Sequence, residues 1–380
     1  MQFYILIRFV IGLLFSIIAV YPYPNFINHD ISITDDGAIS VFGIDLDGDG
    51  DTDVLSSFEY DDKIIWYENV GVEGFISHTI SINTDAAVSV YAIDIDNDGD
   101  IDVLSASFND DKIAWYENDG NQGFTEHVIS TNANGAWSVF AIDLDRDGDI
   151  DVLSASYNDD KIAWYENYGN QQFGAHIITS NADGAWCVFS IDLDGDGDID
   201  VLSASQLDGH ITWYENNGAQ SFRAHTITDQ AESAMSVFAI DLDGDGDIDV
   251  LSASQRDDKI AWYENDGKQG FTTHVISNTA DGARSVHAID IDNDGDVDVV
   301  SASYHDDKIA WYENDGNEVF IEHIISTNAD GAFSVFAIDI NGDGNIDVLS
   351  ASLLDDRVAW YENKNENEKR CSNIDTINNC

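Results

Sequence analysis

The sequence predicts an all-β fold: a seven-bladed β-propeller of four-stranded antiparallel blades, the last blade closed by the N-terminal strand. Three observations predict it. The tetrapeptide Trp-Tyr-Glu-Asn begins at Trp66, Trp115, Trp164, Trp213, Trp262, Trp311 and Trp360, a constant step of 49 residues, and self-similarity at such a period marks repeat architectures. Each unit holds four β-rich runs, such as Ser138 to Ile142, Val152 to Ser156, Lys161 to Tyr165 and Phe173 to Ile178, divided by Asp, Asn and Gly. The chain also begins its repeats with a Phe-x-x-His run at Phe26 and ends them on Asn363, so the last unit lacks a fourth strand unless the first run supplies it.

The elements of one unit follow from local chemistry. Phe-x-x-His recurs at Phe26, Phe75, Phe124, Phe173, Phe222, Phe271 and Phe320 without the gain or loss of a residue between copies. Two prolines in the whole chain leave the turns to Gly, Asn and Asp. Radial repetition of four-stranded units leaves few exposed sheet edges, and a clasp between the two chain ends would bury another.

A formal charge of −58 on a chain that is 43% hydrophobic and 11% aromatic does not describe a disordered acidic polymer. With only 15 Lys and Arg, nucleic acid is excluded as a partner, since its binding needs basic groups to replace phosphate counterions. Met1 to Val20 carries the single charge of Arg8 and an apolar run too short to cross a bilayer comfortably. Residues 1–20 are therefore expected to be a secretory signal peptide, with Ala19 a candidate cleavage boundary; an uncleaved signal-anchor is the alternative. Residues 26–363 form the propeller and 364–380 a polar tail. Of the cysteines, Cys371 and Cys380 could close a loop in the tail, and Cys187 stands where other repeats carry Ser.

The charge is concentrated in one nonapeptide per unit, and these loops hold 33 of the 73 acidic residues. Position 1 is Asp45, Asp94, Asp143, Asp192, Asp241, Asp290 or Asp339, and position 3 is Asp47, Asp96, Asp145, Asp194, Asp243, Asp292 or Asn341. Position 5 is Asp49, Asp98, Asp147, Asp196, Asp245, Asp294 or Asp343, and position 7 is Asp51, Asp100, Asp149, Asp198, Asp247, Asp296 or Asn345. Position 9 closes the loop with Asp53, Asp102, Asp151, Asp200, Asp249, Asp298 or Asp347. Such a density of like charge repels itself unless a cation is held. Oxygen-only donors suit Ca2+, about one per blade and up to seven, better than Zn2+ or Mg2+. A solvated acidic hairpin is the competing reading. An EF-hand is excluded, because position 12 is serine (Ser56, Ser105, Ser154) and the flanks are strands.

Nine-residue acidic loops between strands, recurring in seven units, resemble the FG-GAP/VCBS-type repeats and the propeller heads of integrin α subunits over about Phe26 to Asn363. For the second loop the resemblance implies side-chain ligation by Asp94, Asp96, Asp98 and Asp102 and a backbone carbonyl ligand from Asp100, the other loops following at steps of 49. The naming tripeptide is Ser-Ala-Ser here, and Phe-Gly occurs only at Phe42-Gly43. Asn341 keeps an oxygen ligand but should weaken the seventh site.

The constant Trp-Tyr aromatics are expected to pack blade on blade, and the seven histidines of Phe-x-x-His (His29, His78, His127, His176, His225, His274, His323) to be structural, being spread one per blade. Variation falls just before each inner strand, at Ile39, Val88, Trp137, Trp186, Met235, Arg284 and Phe333. It falls again in the loop before the Asp-Asp-Lys turn, from Glu59-Tyr60 and Phe108-Asn109 to Tyr304-His305 and Leu353-Leu354. Both sets should share the face opposite the acidic loops, with Trp137, Trp186, Met235, Arg284 and Phe333 as ligand-face candidates; neutral drift is the alternative. No nucleophile elbow, phosphate loop or Cys-His pairing is present, so no enzyme is expected. The reading is a secreted or cell-surface calcium-binding module for adhesion or protein binding, with a propeller lectin as the alternative and a polysaccharide-active enzyme as a distant third. The expected partners are an extracellular protein or a glycan, and the membrane only through an uncleaved N-terminal segment.

Overall fold

A computed structural model describes residues 24–364 of the chain. The predicted signal peptide, Cys371, Cys380 and nearly all of the polar tail lie outside the described residues.

Twenty-eight strands, numbered β1 to β28 in chain order, assemble into seven separate four-stranded antiparallel sheets. In the first blade β2 (Ala38–Ile44), β3 (Asp53–Phe58), β4 (Lys63–Asn69) and β5 (Phe75–Ser81) are hydrogen-bonded in that order, and the pattern repeats around the ring. The closure is as expected. β1 (Phe26–Ser32) pairs antiparallel with β28 (Arg357–Asn363), completing the blade that β26 (Ala332–Ile338) and β27 (Asp347–Ser352) begin.

Burial explains the composition of each strand. The second strand of every blade is buried along its whole length and reads Asp-Val-Leu-Ser-Ala-Ser or a near variant, because both of its faces meet neighbouring blades and only apolar or small residues fit. The first strand alternates, and the fourth is the most exposed. The core is accordingly divided into layers between blades: Leu104, Ile113 and Trp115 of the second blade pack on Val139, Val152 and Tyr165 of the third.

Phe42, Tyr91, Phe140, Phe189, Phe238, His287 and Phe336 close a ring of seven aromatic side chains about the axis. Every successive pair of centroids lies 4.7–5.0 Å apart, in tilted geometry. One turn outward, a serine of each inner strand accepts from a valine amide of the next blade. Val90 bonds Ser40, Val139 bonds Ser89, and Val41 bonds Ser334 across the seam, at 3.4 Å each. Cys187 holds this place in the fourth blade, with its sulfur 3.8 Å from the Val237 carbonyl oxygen.

Candidate metal loops and inter-blade clefts

Each acidic loop is shaped first by hydrogen bonds within itself. In the third loop, Asp143 Oδ2 accepts from Gly148 N at 3.1 Å, Asp145 Oδ1 from Asp147 N at 3.2 Å, and Asp147 Oδ1 from Asp149 N at 2.9 Å. The glycine at position 6 is obligatory for this path: its φ lies at +98° to +101° in the first six loops, a conformation closed to side chains.

Position 9 is the hinge between loop and blade. Asp151 Oδ2 accepts from Leu144 N at 3.1 Å and its Oδ1 from Asn167 N at 2.8 Å, and all seven equivalents are almost fully buried. Burial raises these carboxyls, although the amide bonds pull the other way: to about 7 for Asp102, Asp151, Asp200, Asp298 and Asp347, and to about 6 for Asp53 and Asp249. Asp292, at position 3, is also raised to about 6 by burial and then by the charge of Asp294.

The carboxylates that converge are those of positions 1, 3 and 9. In the loops beginning at Asp45, Asp94, Asp143, Asp192 and Asp241 they bring oxygens within 4.8 Å of one another. Asp143 Oδ1 and Asp192 Oδ1 at position 1, and Asp96 Oδ1 at position 3, are buried without a hydrogen-bond partner. A cluster of hard, anionic oxygens with lone pairs left open fits a hard cation. The position 5 side chains, expected as ligands, each accept from the position 7 amide through one oxygen in all seven loops, at 2.8–3.0 Å. In the seventh loop Asn341 turns its Nδ2 to Glu362 Oε1 at 3.1 Å, a donor where the other loops offer a second acceptor.

The Trp-Tyr-Glu-Asn strand holds these loops from below, and each residue has its own task. The tryptophan packs between blades and is covered by the histidine of the adjoining strand, stacked at 4.4–4.6 Å. That histidine shares a hydrogen bond with the glutamate, 2.6 Å for His78–Glu68 and 2.7 Å for His127–Glu117, so the histidines are satisfied within their own blades. The asparagine reaches across the blade boundary. Asn167 Nδ2 donates to Ile95 O at 3.2 Å and Asn69 Nδ2 to Ile340 O at 2.9 Å, both carbonyls of position 2 in the preceding loop. Its invariance at steps of 49 was the available signal, but a spacing cannot show which neighbour it serves.

On the loop face this architecture opens a cleft between adjacent blades. Five such cavities measure about 250 to 430 Å³. One is lined by Asp96 and Trp115 of the second blade and by Asp149, Asn167, Gly169, Asn170, Gln171 and Phe173 of the third. The equivalent residues line the others, and the cleft at the seam adds His29, Trp360 and Glu362. Position 7 thus faces the cleft with its carboxylate while its amide serves the loop.

The ligand-face candidates lie on the opposite face, gathered about the axis, where several of them are buried against one another. Met235 is 2% exposed and Trp186 9%. Trp137 lies against Trp186 with centroids 3.8 Å apart, and Trp137 and Phe333, half-buried, pack with Ile39, Val88 and Leu353. Apolar side chains converging on one axis bury one another. Arg284 is half-buried among them.

A seven-bladed propeller with an acidic loop between the first two strands of every blade defines, by architecture, a class of acidic-loop repeat propellers. The model of the FG-GAP-like repeat matches residues 45–105, 94–154, 143–203, 192–252, 241–301 and 290–350, and the chain belongs to that family. Among curated proteins none matches the sequence. Solved structures share the fold at low identity. One is an Agrocybe aegerita lectin that recognises non-reducing terminal N-acetylglucosamine, 17% identical, TM-score 0.57, covering 84% of this chain and 86% of its own. Another is a catalytically inactive virginiamycin B lyase from Staphylococcus aureus with quinupristin, 12% identical, TM-score 0.63, covering 89% and 99%.

Proposed function

We propose that this chain is a calcium-stabilised, non-catalytic, multivalent binding module that holds carbohydrate in the clefts between its blades. The observation that carries this reading is the recurrence of one cleft: an indole at its base, a carboxylate from each of two neighbouring loops, and an Asn and Gly-rich segment at its rim. Convergent amide and carboxylate groups in a concave cleft suit the hydroxyls of a pyranose. The lectin of the same fold is in keeping with such a role. Calcium is assigned to the loops because their donors are all hard oxygens in flexible backbone, and such sites fill where calcium is plentiful, which favours a secreted or cell-surface setting.

The adhesion reading, with a protein anchored on the opposite face, has less support, since Met235 and Trp186 are buried there. A glycan array probed in calcium and in chelator separates the two. Selective, saturable sugar binding that needs calcium is expected; an array without signal, alongside retention of a protein ligand, would end the carbohydrate reading.

A further inference from the structure

Among the seven equivalent positions at the axial end of the inner strands, Ile39, Val88, Trp137, Trp186, Met235 and Phe333 are apolar and Arg284 alone is charged. Its guanidinium lies over three rings, 4.8 Å from the Phe333 centroid, 4.9 Å from Tyr304 and 5.7 Å from Trp186. Its Nη1 approaches only the Met235 sulfur, at 3.9 Å, and its Nε is buried without a partner. In a chain with 73 acidic residues this arginine forms no ion pair among the described residues. Glu59 is the carboxylate whose charge acts on it, without an ion pair between the two.

Rings can hold a cation by their faces, but they leave its N–H donors unused. A planar fork of donors, part-buried and rimmed by aromatic surface, is what a carboxylate on a ring-shaped ligand needs. We propose that Arg284, with Trp186, Tyr304 and Phe333, forms one anion-binding site per chain at the axial mouth opposite the acidic loops, for the carboxylate of an acidic saccharide such as a uronic acid. The site is independent of the inter-blade clefts, and neutral sugars do not use it.

The test is isothermal titration of the calcium-loaded protein with glucuronate, with methyl glucoside as the neutral control, at 0.15 M salt, where distant acidic groups are screened beyond about 8 Å. Glucuronate is expected to show one site more than the neutral sugar. Arg284→Met should weaken that site at least tenfold, on the order of one charge-assisted bond pair, with neutral-sugar binding unchanged. Glu59→Gln, which removes a repelling charge and leaves the cage intact, should tighten it. Equal binding by Arg284→Met and the unsubstituted protein overturns the proposal, as does glucuronate behaving like the neutral control. Capture of a peptide's free C-terminal carboxylate in place of glucuronate overturns the saccharide assignment.

Discussion

His29 and Glu362 share a hydrogen bond at 3.0 Å although 333 positions separate them, and the His29 ring stacks on Trp360 at 4.6 Å. The same three residue types meet within single blades elsewhere, so the seam copies an ordinary blade with parts from both chain ends. Removing residues 24–32 should leave the β28 edge unpaired. We expect self-association in size-exclusion chromatography and a melting temperature lower by more than about 10 °C, whereas His29→Ala, losing one stack and one half-exposed pair, should cost about 1 kcal/mol. A monomeric truncated protein with unchanged melting would mean that the clasp is dispensable.

Position 9 and position 7 of one loop should respond differently to the same substitution. Asp151→Asn replaces one of two acceptors with a donor facing Leu144 N or Asn167 N, and a buried amide left unpaired costs about 1–3 kcal/mol. Asp149→Asn keeps the backbone bond to Asp147 and changes only a cleft-facing side chain, so a stability change within about 0.5 kcal/mol is expected. Chemical denaturation of the two variants checks the order.

Removal of the cation should also set the sign of the pH dependence. The position 9 carboxyls are raised by burial to about 6–7 in the folded chain, from an ordinary value of 3.8. The cation-free folded state therefore binds more protons than the unfolded state across that window, and its stability falls as pH rises from about 4 to 7. With calcium in excess the trend should flatten or reverse, because the ion requires the ionised carboxylates and stabilises only the folded form. Melting curves at pH 5 and pH 8, with and without chelator, test this; parallel behaviour in the two conditions would argue against occupied loops.

The seventh loop offers a gain of function. Asn341→Asp exchanges a donor to Glu362 for a carboxylate that faces it. Without a cation the two acids repel and melting should drop slightly. In calcium the variant should bind one ion more tightly than the parent chain, read by titration with a chromophoric chelator.

Filling a single cleft should remove a single sugar site. Asn170 stands at the rim of the cleft between the second and third blades, and Asn170→Trp is expected to lower saccharide stoichiometry by one without altering the affinity of the remaining sites. A uniform loss of affinity would point to a binding surface other than the clefts.

Much of this molecule was legible because the repeat is a message written seven times. Steps of 49 residues, four β-rich runs per unit and an unpaired first strand were sufficient for blade number, strand count and closure. The acidic composition of positions 1, 3 and 9, whose carboxylates cluster, was legible for the same reason, since side-chain chemistry and loop spacing are local properties. What spacing could not show is that the position 5 carboxylate also accepts the position 7 amide with one oxygen, since that bond depends on the path of the loop backbone.

What the sequence by itself determined is therefore the unit, the number of units and the composition of each loop, all of which arise from short-range periodicity. Tertiary structure alone decided how units address one another: Asn167 donating to Ile95, the clefts formed from two blades, and the burial of Met235 and Trp186 about the axis. These relations join residues tens to hundreds of positions apart, and they exist only once the ring has closed and converging side chains compete for the same volume.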